Sequence, residues 1–177
     1  MEKILSKKKV YKGRVISVEE VKIDFGNGRK SVFEMAHFNV VTGVSAFPID
    51  GRGQVVLVKH FQLGAGGRIL TLPTGGLSKG EDPKERMQSE LQEEIGYKAG
   101  KLRLMTRAHA IPGYIGTEPF YLYLAQDLKD SKTEGDEVED ISIVRVKFND
   151  LMTKIRNGEI IDNRIILGAL YYDKFFK

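Results

Sequence analysis

Apolar and polar residues alternate in the first part of the chain, as they do in β-strands. Between residues 10 and 37 the clearest case is Val21, Ile23 and Phe25, which would share one face of a strand. Gly26-Asn27-Gly28 follows directly, and such a triplet favours a tight hairpin turn. The pattern therefore predicts at least two antiparallel strands in this region.

Continuous apolar runs occupy the next part of the chain. Residues 44–49 and 55–58 are apolar runs on either side of Asp50-Gly51, so they predict a second hairpin. Because neither run alternates with polar residues, its strand is expected to be buried on both faces. A short strand is predicted over residues 69–72, followed by a glycine-containing loop over residues 73–80.

The rest of the chain predicts helices mixed with strands. Asp82 and Pro83 favour a helix start, as N-cap and first helical residue, and Gly96 favours its end. Further strands are predicted over residues 102–105, 120–124 and 141–146, and helices over residues 150–156 and 165–176. Early strands, later helices and no regular βαβ alternation predict an α/β/α sandwich with a mixed sheet.

Composition narrows the choice of class and chemistry. The chain has 177 residues, 41% of them hydrophobic, which fits one globular domain. With no long apolar run and no apolar segment behind the basic start, we expect a cytoplasmic protein without a membrane span. The absence of cysteine excludes disulfides and thiolate zinc sites, and the histidines are scattered, so a bound metal would have oxygen ligands. The net charge of +4 is spread along the chain, which favours a small anionic partner over nucleic acid.

The helix predicted from Pro83 to about Ile95 carries glutamates on one face. At about 100° per residue, Glu90, Glu93 and Glu94 fall close together beside an apolar face. Like charges at i and i+4 cost a few tenths of a kcal/mol, which a bound cation would offset. Mg²⁺ is usually held by one or two carboxylates and retained waters. On composition alone, an ordinary solvated glutamate face is the simpler interpretation.

A fixed spacing changes that interpretation. Residues 75–97 resemble the Nudix box, G-x5-E-x7-R-E-U-x-E-E-x-G-U with U apolar. The matching positions are Gly75, Glu81, Glu90, Leu91, Glu93, Glu94, Gly96 and Tyr97. One position departs, since Ser89 stands where the family has arginine. Arg86, four residues before Glu90, either supplies the missing cation or is a solvated surface arginine.

The resemblance extends beyond the box, from about Tyr11 to the C-terminal helix. The segment Leu72-Pro73-Thr74-Gly75-Gly76 is similar to Leu-Pro-Ala-Gly-Gly of the branch that contains ADP-ribose pyrophosphatases and nucleoside-diphosphate-sugar hydrolases. Pro112-Gly113-Tyr114 through Glu118 also resembles that branch. This likeness implies a Nudix-type sandwich over residues 42–177 and an N-terminal antiparallel β-region over residues 1–41 that forms a homodimer.

The same resemblance implies an activity. It is Mg²⁺-dependent hydrolysis of the diphosphate bond in ADP-ribose or another nucleoside-diphosphate sugar, giving a nucleoside monophosphate and a sugar phosphate, with Mn²⁺ as a substitute ion. The alternatives are a Nudix hydrolase of nucleoside triphosphates, dinucleoside polyphosphates or RNA 5′ ends, or a non-catalytic nucleotide-binding module. Such modules usually lose box glutamates, whereas Glu90, Glu93 and Glu94 all remain.

Roles for individual residues follow from the resemblance. Glu90 and Glu94 would be metal ligands together with the carbonyl of Thr74, and Glu93 would hold a second ion or the attacking water. Glu81 would be a more distant acid of the site. The general base would be Glu137 or Glu139, in an acidic loop before the last strand, with Glu137 preferred.

Candidates for substrate binding rest on weaker patterns. Tyr114 and Glu118 lie in the segment that resembles the branch. Tyr114 and Phe120 could contact the nucleotide end, and Arg68 or Lys59 could contact phosphate. The simpler interpretation is that an aromatic residue beside a strand packs in the core and that single basic residues are solvated. His37, His60 and His109 are interpreted as structural or incidental.

Overall fold

The computed structural model describes residues 1–116, 118–134 and 140–177. Its α-helices are α1 (Pro83–Glu90), α2 (Phe148–Arg156) and α3 (Asn163–Phe175). Its strands are β1 (Lys3–Lys12), β2 (Ile16–Asp24), β3 (Lys30–Phe38), β4 (Thr42–Pro48), β5 (Gln54–Gln62), β6 (Gly67–Thr71), β7 (Thr74–Leu77), β8 (Tyr97–Ala108), β9 (Phe120–Asp130) and β10 (Ser142–Lys147).

The N-terminal strands form a sheet of their own, in the order β1-β2-β3, with antiparallel pairing throughout. The predicted hairpin is β2 with β3. Gly26 and Gly28 adopt φ of 73° and 80°, which glycine reaches without steric cost. Strand β1 was not predicted as a separate element, because its run of lysines hides the alternation. All ten of its residues are exposed.

Two further sheets form the centre of the molecule. One has the order β7-β4-β9-β8 and is mixed, since β4 and β9 run parallel, and the other is antiparallel with the order β10-β5-β6. The predicted pairing of β4 with β5 as a hairpin is wrong, because these strands lie in different sheets and meet at one isolated bridge between Ile49 and Val55. Both strands are buried, as predicted, but an apolar run does not specify which strand is its neighbour.

The loop predicted over residues 73–80 contains a strand. Residues Thr74–Leu77 form β7, which pairs antiparallel with β4, so this part of the prediction is also wrong. Glycines at positions 75 and 76 weaken the strand signal in the sequence. In the structure these glycines leave room for the side chains of Glu90 and Val40, which a β-carbon at either position would meet.

Helices cover the central sheets on both sides, which confirms the predicted α/β/α sandwich with a mixed sheet and an N-terminal antiparallel β-region. On one side α1 and the turn after it pack on a cluster that includes Val44, Ala46, Met87, Leu91 and Tyr123. On the other side α2 and α3 pack on a cluster that includes Phe47, Leu57, Leu122, Leu151 and Ile165. Adjacent residues of a strand thus pack into different clusters, because successive side chains of a strand point to opposite faces of the sheet.

Over residues 1–116, 118–134 and 140–177, none of the helices is long and apolar enough to span a membrane.

Candidate active site

Helix α1 and the turn that follows it carry the acidic face. The Asp82 side chain caps the helix by accepting hydrogen bonds from the backbone N–H groups of Lys84 (2.8 Å) and Glu85 (2.9 Å). Residues Leu91–Ile95 continue the helix as a π-helical turn that ends at Gly96, where φ is 76°. The predicted bounds of the helix are therefore confirmed, while the π turn was not predicted. Such turns are frequent at functional sites.

Glu90 is enclosed by the protein, with only 2% of its surface exposed. Its carboxylate lies against Gly75 of β7, in the space that a β-carbon at that position would fill. The guanidinium of Arg86, one turn earlier on α1, forms an ion pair with Oε1 of Glu90. Arg86 also donates a hydrogen bond from Nε to the carbonyl of Gly76 (3.3 Å). Arg86 is therefore not a free surface residue but holds both the acid and the neighbouring strand.

Glu94 is the second buried acid, with 6% of its surface exposed. Its Oε2 accepts a hydrogen bond from the backbone N–H of Thr74 (3.1 Å), the residue beside Gly75. Glu90 and Glu94 thus contact consecutive residues of one strand. Leu91 and Met87, both fully buried, fix the helix on the sheet, and each such side chain contributes roughly 1.5–3 kcal/mol on burial.

Thr74 is held from the opposite side by α3. Its Oγ1 donates to the carbonyl of Leu72 (2.9 Å), lies 3.0 Å from Oγ of Ser45, and accepts from Nη1 of Arg164 (3.1 Å). Arg164 is in turn paired with the buried side chain of Asp162. The sequence patterns did not indicate a role for Ser45, Asp162 or Arg164. Asp162 before an apolar helix is a recognisable N-cap, but no local pattern indicates that Arg164 reaches β7.

The other acids of the box are placed less deeply. Glu93 is half-buried on the π turn, and its backbone carbonyl accepts a hydrogen bond from Lys132. Glu81 is exposed, and its carboxylate accepts from the backbone N–H of Ser78 (2.7 Å). Ser89, at the position of the family arginine, lies with its Oγ 3.4 Å from the carbonyl of Glu85. Its side chain therefore reaches back along the helix.

Within the part of the chain that the structure describes, no three acidic or histidine side chains are already gathered at metal-binding distances. Glu90 and Glu94 are instead held by Arg86 and by the Thr74 N–H group. Two buried carboxylates that contact adjacent residues of one strand are nevertheless a donor set that suits a hard divalent cation. Because Gly75 has no side chain, the Glu90 carboxylate occupies the space beside its backbone.

A cavity of about 440 Å³ opens at strand β7. The residues that line it include Thr74 to Gly76, the aromatic residues Phe38 and Phe120, and the charged residues Glu118 and Arg164. Aromatic and apolar walls with a few polar groups are typical of small-molecule sites. The described residues that line it do not include Glu90 or Glu94, but they do include Thr74 and Gly75, the two strand residues that these acids contact.

The three candidates for substrate binding lie in different parts of the structure. Glu118 lines the cavity, with its carboxylate 3.3 Å from Arg107. Arg68 and Tyr114 are not among the described residues that line it. Arg68 lies on β6 and pairs with Asp140 (3.2 Å), while Tyr114 is 65% exposed in the loop that bridges to β3 at Ala36. The candidate bases Glu137 and Glu139 lie outside the described residues.

Two of the histidines have structural partners. The Nε2 of His37 lies 3.1 Å from Glu19, and its Nδ1 lies 3.1 Å from the carbonyl of Gly116, so the ring joins β2 and β3 to the loop before β9. His60 contacts the Thr71 hydroxyl at 3.1 Å. Neither histidine lines the cavity among the described residues.

The chain is similar to a known protein family and to several known proteins. The family model for the NUDIX domain matches residues 40–166. An ADP-ribose pyrophosphatase of Bacillus subtilis strain 168 is 29% identical over 96% of this chain and 91% of its own length. A methanol dehydrogenase activator of Bacillus methanolicus is 26% identical over 96% and 91%. The ADP compounds hydrolase NudE of Escherichia coli strain K12 is 27% identical over 98% and 92%.

A solved structure supports the fold. The crystal structure of an ADP compounds hydrolase superposes with a TM-score of 0.86 at 23% identity, covering 98% of this chain and 93% of the other. The similarity includes the N-terminal sheet as well as the sandwich, because almost the whole chain is covered.

Proposed function

Because this chain belongs to the NUDIX family and is an enzyme, we propose that it hydrolyses the diphosphate bond of ADP-ribose or another nucleoside-diphosphate sugar. The products are a nucleoside monophosphate and a sugar phosphate, and the required ion is Mg²⁺, which Mn²⁺ can replace. The names of the relatives from Bacillus subtilis and Escherichia coli support this substrate class.

One observation carries the proposal. Two buried carboxylates, Glu90 and Glu94, contact consecutive residues of β7 at the edge of a cavity large enough for a nucleotide fragment. Burying two acids is costly unless a cation or hydrogen-bond donors compensate their charge. Arg86 and Thr74 supply part of that compensation. A divalent cation bound here would add positive charge beside both carboxylates.

Glu90 and Glu94, with the carbonyl of Thr74, would hold the metal, and Glu93 would hold a second ion or orient the water. When bound, a divalent cation offsets the negative charge on the diphosphate and lowers the pKa of water. The protein's own part is to orient these acids, to enclose the substrate in the cavity and to provide a base. Glu137 or Glu139, with Glu137 preferred, would accept the proton from the attacking water.

The cavity provides the binding surface for the rest of the substrate. Phe38 and Phe120 offer apolar faces to a ring, and Glu118 offers an acceptor for hydroxyl groups. This arrangement favours a diphosphate with an organic group at the cavity over a free pyrophosphate. Arg68 and Tyr114 are not among the described residues that line this cavity. Their proposed contacts would therefore be to a part of the substrate that lies outside it.

We also propose that residues 1–41 form a dimerisation region and residues 42–177 the hydrolase domain. The N-terminal sheet exposes large apolar side chains, including Ile4, Tyr11, Val32 and Phe33. An apolar surface of this kind is typical of an interaction site. The partner is a second copy of the chain, related by a twofold axis.

The test is a substrate panel with Mg²⁺ at mildly alkaline pH, scored by phosphate release after phosphatase coupling. We expect turnover of nucleoside-diphosphate sugars, its loss in excess chelator, and recovery with Mn²⁺. Glu94→Gln should lower kcat/KM by roughly a hundredfold or more, because losing about 3 kcal/mol of transition-state stabilisation has that effect. Glu85→Gln, at an exposed position of the same helix, is the matched control.

Two outcomes would contradict the proposal. Full turnover in excess chelator, or full turnover of the Glu94→Gln variant, would show that the proposed metal site is wrong. Nucleoside triphosphates or capped RNA turned over at least about tenfold faster than any nucleoside-diphosphate sugar, a difference of about 1.4 kcal/mol in transition-state stabilisation, would reject the substrate class while leaving the metal chemistry in place.

A further inference from the structure

An ion pair at the start of α3 contacts the strand that receives the acids. Asp162, only 7% exposed, caps the helix by accepting from the backbone N–H groups of Arg164 (2.8 Å) and Ile165 (3.3 Å). The same carboxylate accepts from Nε of Arg164 (3.1 and 3.2 Å) and from its Nη2 (2.5 Å). The carboxylate thereby fixes the plane and direction of the guanidinium.

The third guanidinium nitrogen of Arg164 makes a contact outside helix α3. Nη1 of Arg164 donates to Oγ1 of Thr74 (3.1 Å), and the backbone N–H of Thr74 donates to Oε2 of Glu94 (3.1 Å). A continuous series of hydrogen bonds therefore runs from Asp162 on one side of the sandwich to Glu94 on the other. Helix capping requires only the Asp162 carboxylate, so it does not account for the contact between Arg164 and Thr74.

We propose that Arg164, oriented by Asp162, is a positioning residue for the metal-binding acids and acts through Thr74 on Glu94. This inference rests on the proposed metal-dependent function. Thr74 contributes both groups that matter, because its N–H orients Glu94 and its carbonyl is the proposed metal ligand. Fixing its side chain limits rotation of the peptide units on either side.

The chemistry of arginine suits this position. A guanidinium is planar and always charged, and it can serve a carboxylate on one edge and a hydroxyl on another. Pairing with Asp162 offsets the cost of placing the cation beside the sheet. A residue that orients a ligand typically changes metal affinity by roughly 10- to 100-fold when removed.

The experiment measures Mn²⁺ affinity of the full-length protein without nucleotide, by calorimetry or by the electron paramagnetic resonance signal of free Mn²⁺. We expect Arg164→Gln to weaken binding by roughly 10- to 100-fold. Thr74→Val, which removes the hydroxyl at nearly constant shape, should weaken it similarly, while Thr74→Ser should stay closer to the parent. The double variant Arg164→Gln/Thr74→Val should be no weaker than the worse single variant, because both changes break one series of contacts.

The control is Arg156→Gln, an exposed arginine at the end of α2. Thermal unfolding of each variant checks that the fold is retained, and if Arg164→Gln fails to fold, the Thr74→Val and Thr74→Ser pair tests the same contact. Unchanged Mn²⁺ affinity in folded Arg164→Gln, or fully additive losses in the double variant, would overturn the inference. Unchanged affinity with a raised KM would instead make Arg164 a direct substrate contact. A parent that binds no Mn²⁺ would reject the metal site itself, and so the proposed function.

Discussion

The carboxylate of Glu90 occupies the space that a side chain at position 75 would need. A β-carbon built on Gly75 would collide with Oε1, Cδ and Cγ of Glu90, although these residues come from a strand and a helix that are joined by a loop. The first glycine of the box therefore has a steric role in this chain. It permits the close approach of helix α1 to strand β7.

Replacing that glycine should disturb the site more than the fold. We expect Gly75→Ala to displace Glu90 and to lower both kcat and Mn²⁺ affinity by about tenfold or more, as expected when a metal ligand is misoriented. Overpacking of this kind costs roughly 1–3 kcal/mol, so the melting temperature should fall by several degrees. Steady-state kinetics and calorimetry measure these effects.

Gly51→Ala is the matched control, because a β-carbon at position 51 meets nothing within 4 Å and its φ is not positive. Gly75→Ala with kinetics equal to this control would show that Glu90 can move without loss.

Arg86 should act as the substitute for the missing box arginine. Removing its contact with the buried Glu90 leaves that acid less well oriented, so Arg86→Ala should lower turnover by several-fold or more. The exchange variant Arg86→Ser/Ser89→Arg tests the idea directly, since it restores the arginine at the family position. We expect it to recover a large part of the activity that Arg86→Ala loses.

Lys84→Ala, at an exposed position of the same helix, controls for loss of a positive charge. Turnover of Arg86→Ala within error of Lys84→Ala would identify the ion pair as incidental.

The N-terminal sheet should mediate dimer formation. Sedimentation at micromolar concentration should give twice the 19.9 kDa of the chain. Val32→Asp/Phe33→Asp should yield monomers, because neighbouring strand residues point to opposite faces and both faces then carry charge. The control is Leu63→Asp, an exposed residue on the 3₁₀ turn outside this sheet. A dimeric double variant would place the interface elsewhere.

The acidic loop should provide the general base. Glu137→Gln is expected to lower kcat far more than it raises KM, because a base acts mainly in the transition state. General-base catalysis contributes typically about 10²- to 10⁴-fold, which sets the scale of the loss. Glu139→Gln, measured beside it, assigns the role between the two glutamates. Comparable, small effects of both changes would exclude the loop as the source of the base.

Sequence alone predicted the elements whose signals are local. The N-terminal hairpin, the bounds of the helix formed by α1 and its π turn, and the two C-terminal helices follow from periodicity, capping residues and turn residues, which act over a few positions. The spacing from Gly75 to Tyr97 also indicated the family correctly. These features depend on neighbours in the chain.

Tertiary structure decided what depends on contacts between distant residues. The pairing of β4 with β7 and β9, rather than with β5, depends on sheet edges that an apolar run does not encode. The ion pair of Arg86 with Glu90 was open in the sequence, because a helix position alone does not separate a solvated arginine from a bound one.

Likewise, Arg164 contacts Thr74 although the two residues are 90 positions apart in the sequence, and no local pattern predicts this contact. The sequence by itself thus determined the family, the helices and the positions of the acids that we propose as metal ligands. Only the fold decided which strands meet and which donors hold those acids, because packing brings together groups that are distant along the chain.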